Sequence, residues 1–325
     1  MKRSVHCVGI CLAVTLYALV SLGCGTEGHS LDTTSPTAFT AAAGKGDAKA
    51  VNQFLQSGTS PDTRDETGDT PLIAAASAGH ADIVRVLLSK GANPNLSKDK
   101  DGWSPLLAAA QAGHDDVMKE LIAKGADVNK ANVDRFTPLM AAAKGGHEAA
   151  MKTLIDAKAD VKAANATGWT ALIAAAESNA PRAVETLLAA GADATAAMAD
   201  GWTPLMAASR AGDAAAVKAL IAAGADVNAR NKDGWTALMA APEGGSVEVV
   251  KQLVDHGAAV NAASKDGWTP LMGAAEKGRT DIARVLLDNG AKAGAANHEK
   301  NTAMSYAVKN QHDDIAALLK NAGAK

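Results

Sequence analysis

A chain of 325 residues would by default hold two globular domains, yet its residues are 47% hydrophobic and only 3% aromatic. Large cores draw much of their buried area from aromatic rings, so many small alanine-lined layers fit this composition better. With 21% charged residues and a net charge of −3, the chain is neither disordered by composition nor a nucleic-acid binder by bulk charge. The cysteines are Cys7, Cys11 and Cys24, so nothing after Cys24 forms a disulfide, a thiolate metal site or a cysteine nucleophile.

The N-terminus reads as an export signal. Lys2 and Arg3 form a charged start, Val8 to Leu22 an apolar stretch of signal-peptide length, and Ser21 and Gly23 the small residues before a cut at Cys24. Residues 1–23 are thus expected to be a signal peptide. Cys24 after Gly23 resembles a bacterial lipobox, which would make Cys24 a lipidation site, although Ser21 and Leu22 depart from the motif. An uncleaved membrane anchor is the alternative, and it too would place the body outside the cytoplasm. Residues 24–36 are small, polar and without periodicity, as befits a flexible tether. The body would then be periplasmic, or held at the bacterial cell envelope as a lipoprotein.

From Thr37 onward the chain repeats. Units aligned on Thr-Pro-Leu begin at Thr37, Thr70, Ser104, Thr137, Thr170, Thr203, Thr236, Thr269 and Thr302, at a spacing of 33 with one extra residue in the Ser97–Asp101 loop. In the unit at Thr203, the threonine is an N-cap, Pro204 is the first helical residue, and Gly212 ends a short helix. A second helix carries Val217, Leu220 and Ile221 on one stripe, and Gly224 supplies a left-handed end. A turn-rich loop through Asp233 and Gly234 follows as a hairpin-like finger. One such unit cannot bury its stripe alone, so neighbours must stack.

The Thr-Pro-Leu-x-Ala-Ala-Ala start, the Gly-His between helices and the Gly-Ala-Asp-Val-Asn after the second helix resemble the ankyrin-repeat family over residues 37–325. The resemblance implies an all-α, curved solenoid of nine repeats with finger loops. It also implies protein–protein recognition in a concave groove and no catalytic residue set or cofactor. The family's histidine after Thr-Pro-Leu, which braces adjacent fingers, is replaced by Ile73, Leu107, Met140, Ile173, Met206, Met239 and Met272. Fingers are therefore expected to be held by apolar contact. Pro242 inside a first helix and Lys158 at a glycine position are expected to weaken their own units. Lys320 and Tyr306 fit a solvent-facing cap in the last unit, so the array is expected to end inside this chain, and a monomer is expected.

The sharpest feature is the residue just before each unit start: Trp103, Phe136, Trp169, Trp202, Trp235 and Trp268, which include all five tryptophans. This row is expected along the groove edge as a partner-binding surface, since Trp is enriched in binding hot spots. A bracing role for rings lying flat on neighbouring fingers, or simple inheritance by duplication, is the alternative. Seven residues after the start stand Ser77, Gln111, Lys144, Glu177, Arg210, Glu243, Glu276 and Lys309, changing chemistry among near-constant alanines. They are either partner-reading side chains or a solvated face. His80, His114 and His147 read as structural, and the Ser97–Asp101 loop lacks the glutamate a calcium loop requires. The expected partner is a protein of the cell envelope, with glycan binding by the ring row as the second reading. Nucleic acid is not expected, nor any membrane contact other than a lipid anchor.

Overall fold

Each unit opens where a threonine or serine hydroxyl accepts a hydrogen bond from the amide three residues on, as Thr70 does from Ile73 at 3.2 Å. A computed structural model of the chain describes residues 33–324, within the compact unit Thr33–Lys325. The leader and Cys24 lie outside the described residues. Eighteen helices are present among the described residues, alternating as nine pairs. They are α1 (Pro36–Gly44) and α2 (Ala48–Gln56), α3 (Pro71–Ala78) and α4 (Ala81–Ser89), then α5 (Pro105–Ala112) and α6 (Asp115–Ala123). Next come α7 (Pro138–Lys144) and α8 (Glu148–Asp156), α9 (Ala171–Glu177) and α10 (Pro181–Ala189), then α11 (Pro204–Ala211) and α12 (Ala214–Ala222). The last are α13 (Ala237–Gly244) and α14 (Val247–Asp255), α15 (Pro270–Glu276) and α16 (Thr280–Asp288), then α17 (Ala303–Lys309) and α18 (Asp313–Asn321). The all-α repeat architecture is as expected. Strand-like pairing among the described residues is limited to isolated bridges, Ala164 with Thr170 and Ala296 with Thr302.

First helices pack on first helices and second helices on second, so the core is one continuous double layer. In α12 the buried stripe is Ala216, Val217 and Leu220, each at 0% exposure, while Ile221 is half-buried. The apolar residues that replace the family's histidine are all buried, Met140 and Ile173 completely. The first unit starts earlier than Thr37: Ser35 caps α1 and Pro36 opens it, so the last two residues expected in the tether belong to the fold. The paired rings of Phe39 and Phe54, with centroids 4.7 Å apart, fill that end of the core.

Glycine positions explain two irregularities. Eight units end their second helix on a glycine with φ between 82° and 89°, and Lys158 takes the same left-handed conformation at φ 69°. Pro242 is buried within α13, which continues through it to Gly244. There Gly244 lies so close to the Gly212 amide and the Arg210 carbonyl that a β-carbon could not be accommodated.

Candidate functional site

The finger preceding each first helix is closed on itself by backbone pairing, such as Asn165 N–H to the Trp169 carbonyl at 3.0 Å and Asn231 N–H to the Trp235 carbonyl at 3.0 Å. A second device fixes the backbone amide of each ring residue, and for Trp103 and Trp202 it is the carboxylate of Asp101 and Asp200, two residues before. The Asn165 side-chain oxygen accepts from Trp169 N–H at 2.9 Å, and Asn132 and Asn231 hold Phe136 and Trp235 in the same way. Sequence reasoning overlooked these asparagines. Their signal was an asparagine four residues before the ring in three fingers, with Ser264 substituting before Trp268.

The row exists, but it is neither continuous nor openly exposed. Phe136 and Trp169 are 8% and 9% exposed, and Trp103, Trp202, Trp235 and Trp268 are half-buried. Trp103 tilts on Phe136 with centroids 6.4 Å apart, and Phe136 stacks on Trp169 at 5.6 Å. Trp235 stacks on Trp268 at 6.3 Å. Tyr306 corrects its expected role as a solvent-facing residue. Its ring meets Trp268 edge-on at 4.9 Å, and its hydroxyl accepts from Asn297 Nδ2 at 3.1 Å. The last finger ends in Asn301 instead of a ring, and Tyr306 on α17 fills the gap. The other units keep a small residue at that helix position: at Gly273 a β-carbon would already lie 3.5 Å from Trp268 Nε1.

Between the two stacks the rings are not paired. Instead Arg210 lies over the Trp202 ring, 4.9 Å from its centroid, and donates to Glu177 Oε1 at 3.2 Å. Glu177 Oε2 in turn accepts from Trp169 Nε1 at 2.9 Å. Two of the candidate partner-reading residues are therefore engaged within the protein. Gln111, Lys144 and Glu243 are exposed, as are Ser77 and Lys309, and Glu276 is half-buried. These side chains flank the row on the first-helix face, amid buried alanines such as Ala142, Ala143 and Ala176.

Adjacent fingers were expected to be joined by apolar contact. Ring stacking supplies part of that, but backbone bonds also join them, among them Val133 N–H to the Asp101 carbonyl at 3.1 Å and Lys265 N–H to the Asp233 carbonyl at 2.8 Å. The inter-helix histidines are staples. His80, His114 and His147 each place Nε2 within 3.0–3.2 Å of a carbonyl at the end of the preceding first helix, those of Gly44, Ser77 and Gln111. An asparagine ladder on the second-helix side adds a further link. Asn228 accepts from Ala259 N–H at 2.8 Å and donates to the Gly257 carbonyl at 2.9 Å, and Asn261 does the same to the next unit.

A search of curated proteins found no match. The family described as ankyrin repeats (3 copies) matches residues 38–132, 129–198, 195–264 and 257–325. Together with the stacked helix pairs, capped starts and finger loops, that coverage places nearly the whole structured region in one family: the chain belongs to the ankyrin repeats.

Proposed function

We propose that this chain is exported and, held at the bacterial cell envelope through Cys24, captures an envelope protein along its first-helix face. Ankyrin-repeat proteins are generally non-enzymatic interaction scaffolds, so a protein ligand is the starting expectation. The observation that carries the groove reading is the exposed row of Ser77, Gln111, Lys144 and Glu243, whose chemistry changes from unit to unit beside the half-buried rings. Side chains with no packing duty at a repeated position are free to match a partner. Export rests on Lys2, Arg3 and the apolar stretch through Leu22. The protein reading is preferred to glycan binding because a sugar stacks on a free ring face, and Phe136, Trp169, Trp235 and Trp268 turn faces toward one another.

The test is capture from native envelopes with the mature chain as bait. Gln111→Ala with Lys144→Ala should lose the captured protein while melting and far-ultraviolet circular dichroism stay at wild type. Capture unchanged by this pair, and by Trp202→Ala with Trp235→Ala, would refute the groove. Intact-mass measurement of the chain recovered from membranes should show a diacylated Cys24. A mass lacking the lipid would refute the anchor.

A further inference from the structure

Three recurrent side-chain devices join successive units: the histidine staple, the asparagine ladder and the ring pairs. Most seams keep at least one of them. His80, His114 and His147 serve the first three seams, and Phe136 on Trp169, with Ser178 Oγ donating to the Lys144 carbonyl at 2.8 Å, serves the fourth. Asn228 and Asn261 serve the next-to-last pair, and His312 Nε2, 3.3 Å from the Glu276 carbonyl, serves the last.

The seam between the α9/α10 pair and the α11/α12 pair lacks all three. Thr195 stands where the ladder asparagine would be, and its hydroxyl bonds Asp193 of its own turn at 2.7 Å. Asp213 stands where the staple histidine would be. Its Oδ1 caps α12 through Ala216 N–H at 3.0 Å, while its Oδ2 is buried with no hydrogen-bond partner among the described residues. Trp169 and Trp202 do not pair.

Three things still cross this seam. Helices α9 and α10 pack on α11 and α12, and Lys232 N–H bonds the Asp200 carbonyl at 2.6 Å in the fingers. The third is the Glu177–Arg210 ion pair, whose side chains are 30% and 43% exposed and so open to screening by salt. Three of the eight buried polar atoms without partners among the described residues lie here: Trp202 Nε1 at the end of the finger before α11, and Ser209 Oγ and Asp213 Oδ2 in the unit just beyond it.

We infer that this seam is a built-in hinge dividing the array into two blocks, residues 36–202 and 203–321, with Glu177–Arg210 as its salt-sensitive clasp. Nearest-neighbour arrays transmit stability only through their interfaces, so an interface without these side-chain links can bound the cooperative units. One ring stack rides on each block: Trp103, Phe136 and Trp169 on the first, Trp235, Trp268 and Tyr306 on the second. Motion at the hinge changes the distance between the stacks, and a ligand that touches both fixes it. The inference does not depend on what that ligand is.

Hydrogen exchange of the full chain across a urea series tests it. In Leu121→Ala, which truncates a fully buried side chain of α6, peptides from 36–202 should lose protection at lower urea while those from 203–321 keep their wild-type midpoint. Adding Thr195→Asn, which leaves the Asp213 cap in place, should transmit part of the shift to the second block. Raising the salt to about 1 M, where the screening length is about 3 Å, should lower the urea at which peptides flanking the seam lose protection. Equal shifts of both blocks in Leu121→Ala would overturn the hinge. No salt effect at the seam would overturn the clasp.

Discussion

The histidine staple can be measured through the glycine beneath it. Gly113 ends α5 at φ 74°, and an ideal β-carbon there would stand 2.6 Å from Nδ1 of His147, whose Nε2 donates to the Gln111 carbonyl at 3.0 Å. Gly113→Ala therefore carries two penalties. The left-handed backbone costs about 1 kcal/mol, and the displaced ring forfeits its hydrogen bond, about 1 kcal/mol more. His147→Ala alone loses the same bond and some ring packing, about 1.5 kcal/mol in all. In the double variant the collision is gone and the bond can be lost only once, so the total should be about 2.5 kcal/mol and the coupling about 1 kcal/mol. Hydrogen exchange of α5 to α8 amides, read as local opening free energies, measures all three variants. Additivity within about 0.5 kcal/mol would refute the account, because it would mean that the ring and the glycine do not share a space.

Lys158→Gly should stabilise its unit by about 0.5–1 kcal/mol, since relief of left-handed strain outweighs the greater freedom glycine gives the unfolded chain. Lower exchange protection in α8 after the substitution would contradict this. Asp115 offers a pH-dependent contribution. Burial raises its pKa, but hydrogen bonds from Lys119 and from Thr153 at 2.5 Å, together with the Lys119 charge, hold it below the ordinary carboxylate value. Its contribution is thus complete above the unfolded pKa near about 4 and is lost as pH falls through the folded value. Thr153→Val should raise the Asp115 midpoint in an NMR titration and shrink that acid-side loss, whereas an unmoved midpoint would show that the threonine does not support the carboxylate.

The fold was legible because its signals are local and repeated. The Thr-Pro starts, the glycine ends and the buried stripe of α12 each depend on a few adjacent residues, and repetition removes ambiguity. Lys158 was legible for the same reason: a glycine slot defines a conformation whatever residue fills it. The state of the ring row was not. That Trp169 both stacks on Phe136 and is bridged by Glu177 to Arg210 depends on side chains one unit away, beyond any single-unit pattern. Tyr306 misled because its helix position is small in every other unit, and only the missing ring at Asn301 makes room for it. The histidines could be recognised as structural, but their acceptor carbonyls lie 36 or 37 residues away and required the fold.

Tyr306 also limits how the array can be rearranged. A block of about 33 residues taken from among the units that begin at Ser104 to Thr269 brings its own ring and its own small helix position, so copying or excising one keeps one ring per unit. The final unit is not interchangeable in this way. It offers Asn301 at the ring slot and fills the helix slot with Tyr306. Placed in the interior, it would set a phenol ring against the preceding indole and leave the following one without a neighbour. The units therefore form an alphabet with a terminator, in which recombination can change the length of the ring row from within but not by repeating its last letter.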